Sequence, residues 1–185
     1  MSPFAPNASS SPDAQASSFE GLFRMHYSDL RNYGMRLVHQ HQWIEDAIQD
    51  VFLSLWRSDT QLSEINHPRS YLLSAFRRRL LKRIQSERDR HSQRESLAPH
   101  FDAFILSKEE LLTAHEHKAE QQANVQKAIQ TLSERRREAL YLRFNHGLTH
   151  PEIADVMAIT HQTARNYVSE ALSHIRKHIK TVDAS

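Results

Sequence analysis

Gly147-Leu-Thr-His-Pro-Glu-Ile-Ala-Asp-Val-Met-Ala-Ile-Thr-His-Gln-Thr-Ala-Arg-Asn-Tyr-Val168 reads as a helix, a tight turn and a second helix. Thr149 and Glu152 have the spacing of a capping box, with Pro151 tolerated in the first turn, so a helix should start near His150. Ile153, Ala154, Val156 and Met157 give it a short apolar face. Ala158-Ile159 turns the chain, and Thr160 is placed to cap a helix from about His161. In that second helix Ala164, Val168, Ala171, Leu172 and Ile175 recur at helical spacing and face inward, leaving Gln162, Thr163, Arg165, Asn166 and Ser169 outward. Those five suit DNA: Gln and Asn can bridge adenine, Arg can bridge guanine, and small hydroxyls reach bases or phosphates. The pattern alone also fits any helical hairpin with a solvated face. Ala158 occupies a turn position where Gly is common, and a left-handed backbone there would cost about 1 kcal/mol.

Upstream, the stretch from Ala128 to Leu148 reads as another amphipathic helix, with Ala139, Leu140, Leu142 and Phe144 apolar and Gly147 as its stop. Three or four short helices therefore close a small C-terminal module. Further towards the N-terminus, Phe19, Leu22, Phe23, Tyr27, Leu30, Tyr33, Leu37 and Val38 fall at spacings of three and four. A second helix carries Ile44, Ala47, Ile48, Val51, Phe52, Leu55 and Trp56 inward, with Glu45, Asp46, Gln49 and Asp50 forming an acidic outer face. Residues 57 to 67 break the pattern, and Pro68 opens a third helix with Tyr71, Leu72, Ala75, Phe76, Leu80 and Ile84 inward and its basic residues outward.

The chain is thus expected to be all-α, two small helical domains joined by a linker. The boundaries are a disordered tail over 1–18, a first domain over 19–86, a linker over 87–120 and a second domain over 121–180. Residues 87–98 lack apolar periodicity and suit either a solvated linker or a helix extension. Phe101, Phe104, Ile105, Leu111 and Leu112 are apolar enough to dock on something.

The 185 residues contain only three glycines and no cysteine, which excludes a disulfide framework and a thiolate metal site. The start of the chain lacks the basic residues and apolar run of a signal peptide, and no apolar run is long enough for a membrane span, so a cytoplasmic address is expected. A net charge of +2 does not by itself point to nucleic acid. Its distribution does: from Arg69 to Arg94 nine basic residues face two acids, a local charge of +7 that can neutralise phosphates. The 13 histidines invite a metalloenzyme reading. However, His39 and His41, like His115 and His117, are two apart, which sends the rings to different faces of a helix, and no His-Glu-x-x-His motif accompanies them.

Taken together, the two modules resemble the extracytoplasmic-function group of sigma-70 family transcription initiation factors, over roughly Phe19 to Ile179. The resemblance is carried by Asp46-Ala-Ile-Gln-Asp-Val-Phe-Leu-Ser-Leu-Trp56, similar to the family's region 2. It is carried as well by Leu132-Ser-Glu-Arg-Arg-Arg-Glu-Ala-Leu-Tyr-Leu-Arg-Phe144, Gly147-Leu-Thr149 and Glu152-Ile-Ala154, similar to region 4. Gln162 to Leu172 further looks like the subgroup common in regulation of outer-membrane nutrient uptake.

The resemblance implies that the face with Asp46, Gln49, Asp50 and Leu53 binds the clamp helices of the RNA polymerase beta-prime subunit. Charge would give that contact orientation and rate, and apolar residues area. It implies that the segment from Thr60 to Arg83 meets the minus-10 element, with an extruded base held by the loop before Pro68 and the backbone held by Arg69, Arg77, Arg78, Lys82 and Arg83. The family often has Asn where Arg78 stands and Asp where Lys82 stands, so here a backbone role is favoured over base contacts. Gln162, Thr163, Arg165, Asn166 and Ser169 would read the minus-35 element, and a surface around Tyr141 and Leu142 would receive the polymerase beta flap. The partners implied are core RNA polymerase, promoter DNA and an anti-sigma factor. No catalytic residue, metal or cofactor is implied. The other readings are a stand-alone helix-turn-helix regulator, which would bind duplex DNA without polymerase, and the His-dependent metalloenzyme.

Overall fold

A computed structural model describes residues 12–57, 66–90 and 118–182. Among them there is no strand, and the helices are α1 (Pro12–Leu37), α2 (His41–Arg57), α3 (Pro68–Arg90), α4 (Lys118–Gln130), α5 (Glu134–Phe144), α6 (His150–Met157) and α7 (His161–Val182). The all-α expectation of two helical domains is met: α1–α3 form an N-terminal bundle and α4–α7 a C-terminal module.

Several boundaries move. Helix α1 begins at Pro12, so the last seven residues of the segment read as a disordered tail are helical. Proline suits a first helical turn. The rest of that segment, 1–11, lies outside the described residues. Helix α3 runs on to Arg90, past the expected boundary at 86. Its last turns lack an apolar stripe but are tied by side-chain pairs: Gln85 to Asp89 at 2.8 Å, Arg83 to Glu87 at 3.4 Å and Arg90 to Glu87 at 3.1 Å. Helix α4 already starts at Lys118, inside the expected linker. The five apolar residues from Phe101 to Leu112 lie outside the described residues.

The single helix expected from Ala128 is two. Thr131 donates its hydroxyl to the Ala128 carbonyl at 2.8 Å, and the Leu132 amide donates to Ile129 at 3.1 Å, which closes α4 before α5 begins at Glu134. Threonine hydroxyls compete in this way with continuation of a helical ladder.

In the N-terminal bundle, Leu30, Tyr33, Ile44, Ile48, Leu72, Phe76, Leu80 and Ile84 are all buried, each such side chain contributing about 1.5–3 kcal/mol on leaving water. Gly34 lets α1 approach closely: a Cβ there would lie 2.8 Å from both Ile44 and Phe76. Two residues expected inward are not. Trp56 is 52% exposed and Tyr71 45% exposed, whereas Leu73, which was not among the inward residues, is buried. Helix α3 packs on α1 and α2 on one side and on α6 on another, so its buried arc is broader than one stripe and is rotated away from Tyr71.

Candidate nucleic-acid interface

The C-terminal motif forms as a helix-turn-helix. The Glu152 carboxylate accepts the Thr149 amide at 2.8 Å and its hydroxyl at 2.6 Å, completing the capping box with Pro151 in the first turn. Ala158 ends α6 at φ 54°, ψ 51°, in the left-handed region. Its neighbour Ile159 donates its amide to the Ala154 carbonyl at 3.0 Å, so the tight turn is held despite an alanine where glycine would be relaxed. Thr160 then accepts the Thr163 amide at 3.1 Å, starting α7.

Helix α7 buries Ala164, Val168, Ala171 and Ile175, with Leu172 half-buried. This leaves Gln162, Arg165, Asn166 and Ser169 exposed and Thr163 half-buried, all near the start of the helix. Gln162 donates to Asn166 at 3.0 Å, which orients both amides along the exposed face. Beside them the His150 and His161 rings lie 6.2 Å apart. Burial, then the nearby Arg143, His161 and Arg165, hold the His150 pKa below its ordinary value. The positive charge of this corner comes from Arg143 and Arg165, which suit it to phosphate, while the His150 ring is held towards its neutral form. Sequence patterning missed His150 and His161 here because they belong to different helices.

On the N-terminal bundle, Arg78, Lys82 and Arg83 project from α3 into solvent. Arg69 is also exposed, yet its guanidinium lies 3.1 Å from Asp29 and donates to the His146 carbonyl at 3.0 Å. Arg77 departs from expectation. It is buried, with its guanidinium 2.7 Å and 3.2 Å from the two oxygens of Glu138 on α5, and therefore does not face solvent or a phosphate. Its partner is 61 residues away, so no local pattern could show it. A cleft of about 490 Å³ lies where α3 meets α6, lined by Asn66, His67, Tyr71 and Arg78 from one domain and Glu152 and Asp155 from the other.

Helix α2 presents Gln49, Asp50 and Leu53 outward, with Asp46 half-buried and accepting from Gln42 at 2.9 Å. Glu45 does not belong to this acidic face. Tyr27 donates to its carboxylate at 2.9 Å, and Arg31 lies 3.4 Å away. No acid stands in the first turn of α2. Gln49 and Leu53 instead border an apolar groove of about 570 Å³ formed with Phe19, Phe23, Phe52 and Trp56. Phe19 packs edge-on against Phe52 and Trp56, and Phe23 against Phe52. Periodicity had assigned Phe19, Phe23 and Trp56 to the core.

Tyr141 and Leu142 are buried, so the open apolar surface expected around them is covered here. Tyr141 stacks on Tyr33 of the N-terminal bundle at 6.1 Å and 12°.

Two family models match the chain, Sigma-70 region 2 over residues 22–90 and Sigma-70 region 4 over residues 122–175. The chain belongs to the sigma-70 family. Both halves of this sigma-70 chain match in the family's order, and together the matches take in α3 and the helix-turn-helix. Among curated proteins it is 28% identical over 157 residues to the ferric citrate uptake sigma factor FecI of Escherichia coli, covering 85% of this chain and 88% of that one. It is 24% identical over 159 residues to the ECF RNA polymerase sigma factor SigK of Mycobacterium ulcerans, covering 83% of each. These relatives place it with the extracytoplasmic-function group.

Among solved structures, the fold is similar to the sigma factor RpoE from Bartonella quintana, crystallised with the anti-sigma factor NepR. The TM-score is 0.60 at 17% identity, over 89% of this chain and 98% of that one. It is also similar to CnrH in complex with the cytosolic domain of CnrY, with a TM-score of 0.50 at 16% identity over 94% and 92%. Among the described residues no three His, Asp or Glu side chains are grouped to hold a metal, and no helix is long and apolar enough to cross a membrane.

Proposed function

We propose that this sigma-70 family protein recruits core RNA polymerase to promoters through two separate surfaces and catalyses no reaction itself. The observation that carries this reading is the presence, in one chain and in family order, of an exposed acidic and apolar α2 face, a basic α3 and a helix-turn-helix. Asp46, Gln49, Asp50 and Leu53 meet the polymerase clamp helices, with the groove around Trp56 extending the apolar part of that contact. Arg78, Lys82 and Arg83, with Arg69, hold the backbone of the minus-10 strand. Gln162, Thr163, Arg165, Asn166 and Ser169 read the minus-35 element, with Arg143 adding positive charge beside them.

The protein works in the cytoplasm, where its polymerase and DNA are, and an anti-sigma factor holds it in check. That partner is supported by the similar structure of the sigma factor RpoE, crystallised with the anti-sigma factor NepR. Likeness to a ferric citrate uptake sigma factor supports control of nutrient-uptake genes. Size-exclusion chromatography of the chain with core polymerase tests the first contact. Co-elution, weakened by Leu53→Asp, is expected, while separate elution at micromolar concentrations would contradict the reading.

A further inference from the structure

Gln162 and Asn166 lie one turn apart on the exposed row of α7, and each side chain alone carries the acceptor and donor that would bridge adenine. A hydrogen bond between them removes that independence. Gln162 donates its amide Nε2 to Asn166 Oδ1 at 3.0 Å, so the Asn166 carbonyl points along the helix at Gln162, and its amino group, with two donors, points away from it. One turn further on, Glu170 stands where a carboxylate could take those donors. Arg136 of α5 holds that carboxylate in an ion pair instead, and Glu170 is the only acid in α7. The helix therefore turns the Asn166 donors outward beside Arg165 and Ser169.

The purines differ at this point. In the major groove adenine offers N7 as acceptor and N6 as donor, whereas guanine offers two acceptors, N7 and O6. An amide bridges adenine only when its own carbonyl and amino groups lie side by side on the base edge. With its carbonyl engaged by Gln162, Asn166 meets the base with donors alone, which match guanine. Gln162 keeps its Oε1 oxygen as an acceptor, which suits an exocyclic amine on a neighbouring base pair.

We propose that Gln162 and Asn166 read the minus-35 element as one unit, in which Gln162 fixes the Asn166 amide and Asn166 selects guanine over adenine. The inference rests on the proposed sigma-factor function and names a base that its reading helix takes. Gln162 acts on that base as a positioning residue, through the orientation of its neighbour.

Holoenzyme assembled from core polymerase and the full-length chain is mixed with promoter duplexes randomised over the minus-35 element, and the bound duplexes are sequenced. The base position whose preference Asn166→Ala flattens is the one that Asn166 meets. There the unaltered chain should favour guanine over adenine by about tenfold, the discrimination expected of one good base contact. Gln162→Glu offers acceptors only, so Asn166 must turn its amide over, donate to the new carboxylate and present its oxygen to the base. The preference should then reverse by about tenfold towards a base with an exocyclic amine, adenine or cytosine. Gln162→Ala leaves the amide able to turn and should bring guanine and adenine within about threefold of each other. Each comparison is a ratio between bases for one chain, so a loss of fold or an added charge, which weakens all sequences alike, does not move it. Adenine favoured over guanine by the unaltered chain, every preference intact in Asn166→Ala, or a guanine preference unchanged in both Gln162 variants would overturn the proposal. The last is the result expected of a bond that only stabilises α7. If holoenzyme with the unaltered chain selects no upstream sequence, the sigma-factor reading itself fails and takes the proposal with it.

Discussion

Arg77 Nε stands 2.7 Å from Glu138 Oε1 with both side chains almost fully buried, 7% and 4% exposed, joining α3 of one domain to α5 of the other. Burial alone would lower the Arg77 pKa, but Glu138 and Tyr33 outweigh it and raise it above its ordinary value, so the guanidinium stays charged. A buried pair is worth little against a well-packed apolar substitute, whereas loss of one partner is costly. Arg77→Met or Glu138→Leu alone should therefore destabilise the chain by about 3 kcal/mol in denaturant unfolding. The double variant should recover at least half of the summed loss, and strictly additive losses would show the two residues to be uncoupled.

Ala158 pays for the turn of the helix-turn-helix. A left-handed alanine costs about 1–2 kcal/mol, and the added freedom of glycine in the unfolded chain returns about 0.4–1 kcal/mol of that. Ala158→Gly is expected to raise stability by up to about 1 kcal/mol, seen as a higher Tm, without changing minus-35 binding. A lower Tm would mean that the alanine methyl makes contacts that outweigh its strain.

How much of this was legible depended on how local the cause was. The capping box at Thr149 and Glu152, the Thr160 cap and the inward row from Ala164 to Ile175 are set by residues within a turn or two, and they form as the spacing predicts. Arg77, Tyr141, Tyr71 and Trp56 went astray for the opposite reason. Arg77 and Tyr141 are buried by residues of the other domain, 61 positions away for Arg77 and at Tyr33 for Tyr141. Tyr71 and Trp56 fit a helical period equally well as core or as rim, and only the placement of α1 and α6 decides. Among the expected site residues, the α7 face was legible because it is one helix read against its own buried row. The groove at Trp56 was not, because it takes side chains from both α1 and α2.

His146 makes the stability of the fold sensitive to acid. It is buried between Tyr33 and Tyr141, with ring centroids 6.2 Å and 5.1 Å away, and neither ring nitrogen has a hydrogen-bond partner among the described residues. Burial lowers its pKa to about 4 from 6.5, with Asp29 opposing and Arg69 reinforcing the shift. Because the unfolded chain takes up this proton first, the stability contribution is complete above pH 6.5 and is lost as pH falls towards 4. The loss is about 3 kcal/mol across that window at ~1.4 kcal/mol per pH unit. Chemical denaturation at pH 7 and pH 4.5 should show it, and His146→Phe should flatten the difference. An unchanged slope in that variant would assign the acid sensitivity to other groups, such as buried His26, whose pKa burial also lowers.

Arg165 is exposed on the face of α7 that is proposed to read minus-35 DNA. Arg165→Ala should cost about 1–3 kcal/mol at one base position if the side chain bridges guanine. Binding measured across a set of single-base variants of the duplex distinguishes this from a phosphate contact, which would weaken all sequences alike.

Direction of polymerase to promoters by this chain is read most directly from transcript start sites. Core RNA polymerase should be incubated with genomic DNA fragments with and without the purified chain, and the 5′ ends of the transcripts sequenced. A small set of chain-dependent start sites is expected, sharing two upstream elements about 25 base pairs apart, more than two turns of about 10–10.5 base pairs each. Start sites identical with and without the chain would contradict it.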